Sequence, residues 1–191
     1  MTGRIITVRH GRPALSRKVI HSAKEFGEWW KLYDEGGLQQ GDVPPQALRD
    51  LAQSAKTLLA SPMPRAIETA QLIAPAGLSV QSDVLFVEAP LPPPPLPDWV
   101  KFSPRVWGVL SRSWWTFGYA PGDMETRPQT WVRIDRIINV LSEHAGEGDV
   151  ILCAHGYINW MMSRRMKRHG WALEKRRSGN KHWSHRVYTR P

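Results

Sequence analysis

Cysteine is almost absent from this chain: of 191 residues only Cys153 carries a thiol. One cysteine cannot build an internal disulfide framework, which removes the small secreted scaffolds from consideration. Cysteine-dependent phosphatase chemistry is excluded as well, because it needs an arginine six positions after the cysteine and Asn159 stands there. Cys153 reads instead as a small buried strand residue. No Gly-rich loop ends in Gly-Lys-Ser or Gly-Lys-Thr, so a nucleoside triphosphate cradle has no support. The seven histidines show no paired spacing with carboxylates of the kind metal ligation requires, and neither a metal nor another cofactor is expected. No apolar run approaches the length of a membrane span. A strand begins within a few residues of the N-terminus, leaving no room for a signal peptide, so the expected location is the cytoplasm.

Acidic residues are missing where basic ones concentrate. Residues 164–191 hold ten Lys or Arg against one acid, Glu174, and this local excess accounts for the whole formal charge of +9. The segment reads either as a solvated helix end and loop or as a patch for nucleic acid or an anionic surface. Val187, Tyr188 and Thr189, after Asn180 to His185, form an expected last strand joining the sheet edge. Length and a hydrophobic content of 41% suit a single α/β domain over 1–191.

The most informative residues present are Arg9, His10 and Gly11, where the short apolar strand Ile5, Ile6, Thr7, Val8 ends. The arginine offers a planar, permanently charged fork for phosphate oxygens, the histidine attacks or shuttles protons near neutral pH, and the glycine lets the backbone turn sharply. Two other segments end alike. Asp149 to Ala154 is a buried strand that stops on His155 and Gly156, followed by a helix over Tyr157 to Arg168. Thr57 to Ala60 is a short apolar strand meeting Ser61 and Pro62, the expected N-cap and first position of a helix with Arg65 in its first turn. Ligands of open α/β sheets bind outside the carboxyl ends of the strands, which puts Arg9, His10, Arg65 and His155 on one rim. Two arginines and two histidines there make a cationic pocket that is costly unless an anion occupies it.

In order and approximate spacing these segments resemble the histidine phosphatase superfamily, the group that includes the cofactor-dependent phosphoglycerate mutases. Arg9-His10-Gly11 matches its signature at the end of the first strand. Ser61 to Ile73 (SPMPRAIETAQLI) is similar to its second-arginine segment, and Cys153 to Gly156 (CAHG) to its second-histidine segment. The resemblance runs from about residue 4 to 88 and resumes at about Gly122. It implies a phosphoglycerate mutase-like three-layer α/β sandwich, a mostly parallel central sheet with helices on both faces. It also implies metal-independent hydrolysis of a small phosphorylated substrate, with His10 as the nucleophile that becomes phosphohistidine. Arg9, Arg65 and His155 would hold the phosphoryl oxygens, and His155 would share in catalysis. A phosphomutase of the same superfamily is the nearest enzymatic alternative. A non-catalytic module binding anions or nucleic acid through the basic C-terminal segment is the alternative from another class.

The resemblance also calls for a general acid. Glu88 follows a strand-like segment, Val84 to Val87, at about the family's position, and its apolar and proline neighbours are expected to raise its pKa. Glu125 competes, its other reading being a first-turn acid that favours the helix dipole. Arg12 stands where many members carry glutamate or glutamine. It either widens the phosphate grip or is a solvated loop residue.

Elsewhere, Ala23 to Glu35 reads as a helix carrying Phe26, Trp29, Trp30 and Tyr33. Pro44 and Pro45 open a second, with Leu48, Leu51, Ala52, Ala55, Leu58 and Leu59 at helical spacing before it gives way to the strand, and Trp131 to Ala145 forms a third. Between about 89 and 130 lies an insertion with Pro92 to Pro95 and then Trp99, Trp107, Trp114 and Trp115. It is expected either to pack onto the body or to hang over the carboxyl edge as an aromatic lid, with Trp114 and Trp115 selecting an apolar or aromatic phosphomonoester.

Overall fold

Strand β1 (Ile5–Arg9) turns Ile5 and Thr7 to one side and Ile6 and Val8 to the other, and all four are buried. A strand buried on both faces needs a covering layer on each. The computed structural model, which describes residues 3–177, 179 and 181–190, supplies both. The sheet comprises β1, β2 (Ala55–Ala60), β3 (Val80–Ser82), β4 (Asp149–Ala154), β5 (Ala172–Arg177) and β6 (His185–Thr189), in the order β3-β2-β4-β1-β6-β5. Strands β3, β2, β4 and β1 run parallel, and β6 is antiparallel to both its neighbours.

Among the described residues six α-helices accompany the sheet: α1 (Ala23–Glu35), α2 (Gln46–Ala52), α3 (Pro64–Ile73), α4 (Pro104–Thr116), α5 (Arg127–His144) and α6 (Gly156–Arg165). On one face Ile5, Leu59, Val150 and Leu152 pack against Ile134, Ile138 and Leu141 of α5 and Ile158 and Met162 of α6. On the other, Ile6, Val8, Leu58, Ile151 and Cys153 meet Leu48 of α2 and Ala70 and Ile73 of α3. A third cluster joins α1 to the 89–130 segment, with Phe26 and Trp107 stacked at 6.0 Å between ring centroids.

Several local expectations change. Helix α2 stops at Ala52, so Ala55, Leu58 and Leu59 belong to β2, where Leu58 and Leu59 pair with Ile151 and Leu152. A short apolar run has no periodicity that separates a buried strand from a helix, and parallel pairing decides it. Helix α3 begins at Pro64 rather than Pro62, with Met63 at the cap position. Val84 to Phe86 is a 3₁₀ turn opened by Asp83, whose carboxylate accepts from the Leu85 amide at 2.7 Å. The last strand, β6, lies inside the sheet, because β5 covers its outer edge. Helix α5 starts at Arg127, fixed by a Thr126–Gln129 capping box. Helix α6 ends at Arg165 and a 3₁₀ turn, Met166–His169, continues to Gly170.

Gly11 is required for a different reason from the sharp turn expected of it. Its φ lies outside the left-handed region, but a Cβ would stand 2.4 Å from Cζ2 of Trp183 and 2.8 Å from Oδ2 of Asp42. The indole is held there by its Nε1, which donates to Asp42 at 2.8 Å, and by a backbone at φ 61°. Gly11→Ala should therefore destabilise by about 1–3 kcal/mol through overpacking. Gly27→Ala inside α1, where a Cβ meets only Pro93 at 3.7 Å, should stabilise by about 0.5–1 kcal/mol. Urea midpoints of the two variants against the parent check both signs.

Candidate active site

Because β1, β2 and β4 are adjacent and parallel, their carboxyl ends open on one edge, and each leads directly into a side chain of the candidate site. His10 follows β1, Ser61 follows β2, and His155 follows β4 as the cap residue of α6. The imidazoles of His10 and His155 lie 5.4 Å apart between centroids, and both are buried. Nδ1 of His10 sits 2.7 Å from the carbonyl oxygen of Gly11. A carbonyl only accepts, so Nδ1 carries the proton and Nε2 keeps its lone pair.

Arg65 is 1% exposed and is clamped from several sides. It donates to the Tyr33 carbonyl at 2.7 Å and to Oδ1 of Asp34 at 2.9 Å, with its guanidinium 4.5 Å from the Tyr33 ring centroid. It also lies 3.4 Å from Nδ1 of His155. Arginine only donates, so this His155 nitrogen accepts and Nε2 donates to Oγ of Ser61 at 2.8 Å. Ser61 thus orients His155 rather than capping α3. Gly156 keeps the rim narrow: a Cβ there would lie 3.1 Å from Nε of Arg9.

Burial lowers the His10 pKa well below its ordinary value, and His155, Arg65 and Arg9 push the same way. His155 falls to about 3, through burial first and then Arg65 and Arg9 against the opposing pull of Glu88. Both rings are neutral near pH 7. Glu88 reaches the same cavity, but its pKa shift has the opposite sign to the one expected. Burial raises it, yet Arg112, His155 and backbone amides outweigh that and hold the carboxyl below its usual range. The amides are those of Ala89, Tyr157 and Ile158, at 2.9, 3.1 and 2.8 Å, two of them at the start of α6. Glu88 is ionised here. Glu125 lies outside the cavity, in a two-pronged ion pair with Arg133 at 2.8 Å for each contact.

The cavity around these groups measures about 640 Å³. Arg9, His10, Arg65, Glu88 and His155 line it, whereas Arg12 is exposed outside it. Three arginines singled out by no motif join them, Arg17, Arg105 and Arg112. Arg17 comes from the loop after β1 and donates to the Tyr33 hydroxyl. Arg112 comes from α4, donates to the Pro90 carbonyl at 2.7 Å, and stacks 3.9 Å from the Tyr157 centroid. Nothing in the local sequence distinguishes any of the three from a surface arginine. His182, beside His10 at 5.4 Å between centroids, was equally hidden, since only the antiparallel return of β6 brings it there. The 89–130 segment does cover the carboxyl edge, but Trp114 and Trp115 are not among the lining residues. Trp115 is fully buried with its indole donating to the Glu125 carbonyl, and Trp114 packs edge-on against Tyr119.

Residues 5–190 match the sequence profile of the histidine phosphatase superfamily (branch 1). The chain belongs to this superfamily. A search of curated protein sequences finds no match. Among solved structures, the chain resembles the product of an open reading frame, Rv3214, of Mycobacterium tuberculosis, with TM-score 0.58 and 18% identity over 98% of this chain and 91% of that one. It resembles the mycobacterial glucosyl-3-phosphoglycerate phosphatase Rv2419c at TM-score 0.56 and 16% identity, over 88% and 81% of the two chains. The ecdysone phosphate phosphatase of Bombix mori, in complex with tungstate, gives TM-score 0.55 and 15% identity over 99% and 92%. At these identities the likeness is one of fold.

Among the described residues no group of three or more His, Cys, Asp or Glu is arranged to hold a metal ion, and no helix is long and apolar enough to cross a membrane. The basic C-terminal segment lies partly outside the described residues, at 178, 180 and 191 and in the side chains of 175–177. Of its described cations, Arg165 pairs with Asp135 at 3.3 Å, Arg164 lies over Trp160, and Arg190 lies over Trp171.

Three histidines with depressed pKa set a pH dependence of stability. His182 falls to about 4, through burial and then Arg9. Below pH 6.5 the unfolded chain protonates at these positions and the folded one does not, so stability is lost as pH falls. For His155 the window runs from 6.5 to about 3 and carries up to about 1.4 kcal/mol per pH unit. Urea midpoints from pH 7 to 4.5 should drop steadily, and a flat profile would contradict the neutral-histidine assignment.

Proposed function

We propose that this histidine phosphatase hydrolyses a phosphomonoester through a phosphohistidine formed on Nε2 of His10. One observation carries the reading. The hydrogen bond from Nδ1 to the Gly11 carbonyl leaves Nε2 of a neutral imidazole as the nucleophilic lone pair, inside a cavity that Arg9 and Arg65 also line. The transferred phosphoryl group needs alignment and positive charge around its equatorial oxygens, and these arginines supply the charge. That two structural neighbours are phosphatases supports the same class of reaction.

In the first step Nε2 attacks phosphorus in line and the bond to the alcohol oxygen breaks, with a proton needed on that oxygen. Glu88 is the donor, although it is ionised in the empty site. A phosphate ester arriving as its monoanion brings a proton, and the added negative charge beside Glu88 raises its pKa enough to take that proton up. Having protonated the leaving alcohol, the carboxylate accepts a proton from water as the water attacks the phosphohistidine. Inorganic phosphate leaves and His10 is regenerated. His155 donates nothing in this scheme; with Ser61 holding its tautomer, it lines the phosphoryl site as a neutral dipole.

The reading is tested on a simple aryl phosphate. Turnover should resist chelators and should fall at least about 10³-fold in His10→Ala, and a rapid quench should trap an acid-labile phosphoprotein. Turnover that persists in His10→Ala without a phosphoprotein would overturn it. Because the substrate monoanion delivers the proton, kcat/KM should decline above the second phosphate pKa, about 6. Glu88→Gln should lower kcat by about 10²–10⁴-fold and remove that decline.

A further inference from the structure

His10, His155, Arg9 and Arg65 gather at the strand ends, and the rest of the cavity has a different chemistry. A space of about 640 Å³ is in the range that encloses a drug-sized ligand. Away from the histidines its walls are Trp30 from α1 and Leu91, Val109 and Phe117 from the 89–130 segment, with the guanidinium groups of Arg17, Arg105 and Arg112 among them. Trp30 is the half-buried ring of α1, stacked at 5.0 Å on Tyr33, which with Trp29 at 5.1 Å forms the buried aromatic layer behind it. Facing it, α4 leaves Val109 67% exposed and Phe117 90% exposed at the cavity. Large apolar side chains left in water beside a ligand cavity mark a surface that binding covers.

The polar lining narrows the choice further. Glu88 is the single carboxylate among the lining residues, and its oxygens already accept three backbone amides. A cationic leaving group would therefore meet Arg17, Arg105 and Arg112 with nothing to pair it. A sugar would find four side-chain hydroxyls, on Tyr33, Ser113, Thr116 and Tyr157, the first already accepting from Arg17, against walls whose Trp30, Leu91, Val109 and Phe117 offer its hydroxyl groups no partner. A flat aromatic group meets tryptophan and phenylalanine faces together with planar guanidinium groups, which stack on rings.

We propose that the slot between α1 and α4, lined by Trp29, Trp30 and Phe117, binds the leaving group, and that the substrate is the phosphate ester of an alcohol carrying a flat aromatic ring system. This rests on the reading of His10 as the site of phosphoryl transfer, since that places the alcohol in the slot. Phosphate lies at the strand ends and the ring lies against α1, so affinity for the ring appears in KM as well as in positioning for attack.

Aryl esters confuse recognition with leaving-group acidity, so the test compares 2-(naphthyl)ethyl phosphate with ethyl phosphate, both esters of simple alkyl alcohols. The full chain should favour the naphthyl ester in kcat/KM by roughly tenfold or more. Trp30→Ala should reduce that ratio several-fold, with Trp30→Phe restoring most of it. Phe117→Ala should do the same, and its exposure keeps the core out of question. A second arm needs no turnover: titration with 2-(naphthyl)ethyl phosphonate should quench tryptophan fluorescence and bind at least roughly tenfold more tightly than ethyl phosphonate, judged by competition. Equal kcat/KM for the two esters, with ratios unmoved in both alanine variants, would overturn the slot while leaving the phosphatase reading intact. Selective phosphonate binding with no turnover of any ester would uphold the slot and overturn the reading of His10.

Discussion

Burial of positive charge at the carboxyl ends of three parallel strands is the constraint to which the rest of this structure answers. Arg9 and Arg65 approach one another at an edge where His10 and His155 are also buried. Four cations there would repel each other strongly in a medium that screens poorly. The fold reduces the number. Both imidazoles are held neutral, each in a single tautomer, by the Gly11 carbonyl on one side and by Arg65 and Ser61 on the other. Arg65 is paired with the Asp34 carboxylate and rests on the Tyr33 ring as well. What is left is positive potential aimed into a cavity, together with one imidazole lone pair.

Glu88 shows the same economy. Its carboxylate closes the amino end of α6, taking the amides of Tyr157 and Ile158, so it contributes to the helix that follows His155 as well as to the cavity. Apolar neighbours alone would have made it a weak acid. Arg112, brought in from α4, reverses that balance in the empty site. The proposed proton donor is therefore coupled electrostatically to the segment that covers the cavity. An occupant carrying negative charge shifts its protonation state without any side chain having to move.

The 89–130 segment serves both readings weighed for it. Trp107 and Trp115 are structural: one stacks on α1 and donates to the His21 carbonyl, the other is buried against α6 and ties down Glu125. With these as anchors, α4 holds Arg112 and Val109 over the carboxyl edge. Tryptophan was the conspicuous residue in the sequence, but Trp107 and Trp115 go into the core, where burying a large ring stabilises most, and Trp99 stands in solvent. The residues facing the cavity are the less conspicuous ones on the remaining face of the same helix.

The family, the α/β class and the strand-end positions of Arg9, His10, Arg65 and His155 were legible in the sequence because each depends on local order. Apolar runs mark the strands, and the motif residues follow those runs directly. The strand over Thr57 to Ala60 was legible too, but its start at Ala55 was not, because helix and buried strand share one apolar pattern there, and β6 reads as an edge strand because β5 carries few apolar residues. Which glutamate enters the cavity, which ring nitrogen of His10 keeps its lone pair, and that Arg17, Arg112 and His182 gather there are decided by contacts between residues far apart in the chain. Charge, desolvation and close packing act through space. Gly11 is the compact case: the tripeptide announced its place, and only the approach of Trp183 from the other end of the chain determined why no side chain fits there.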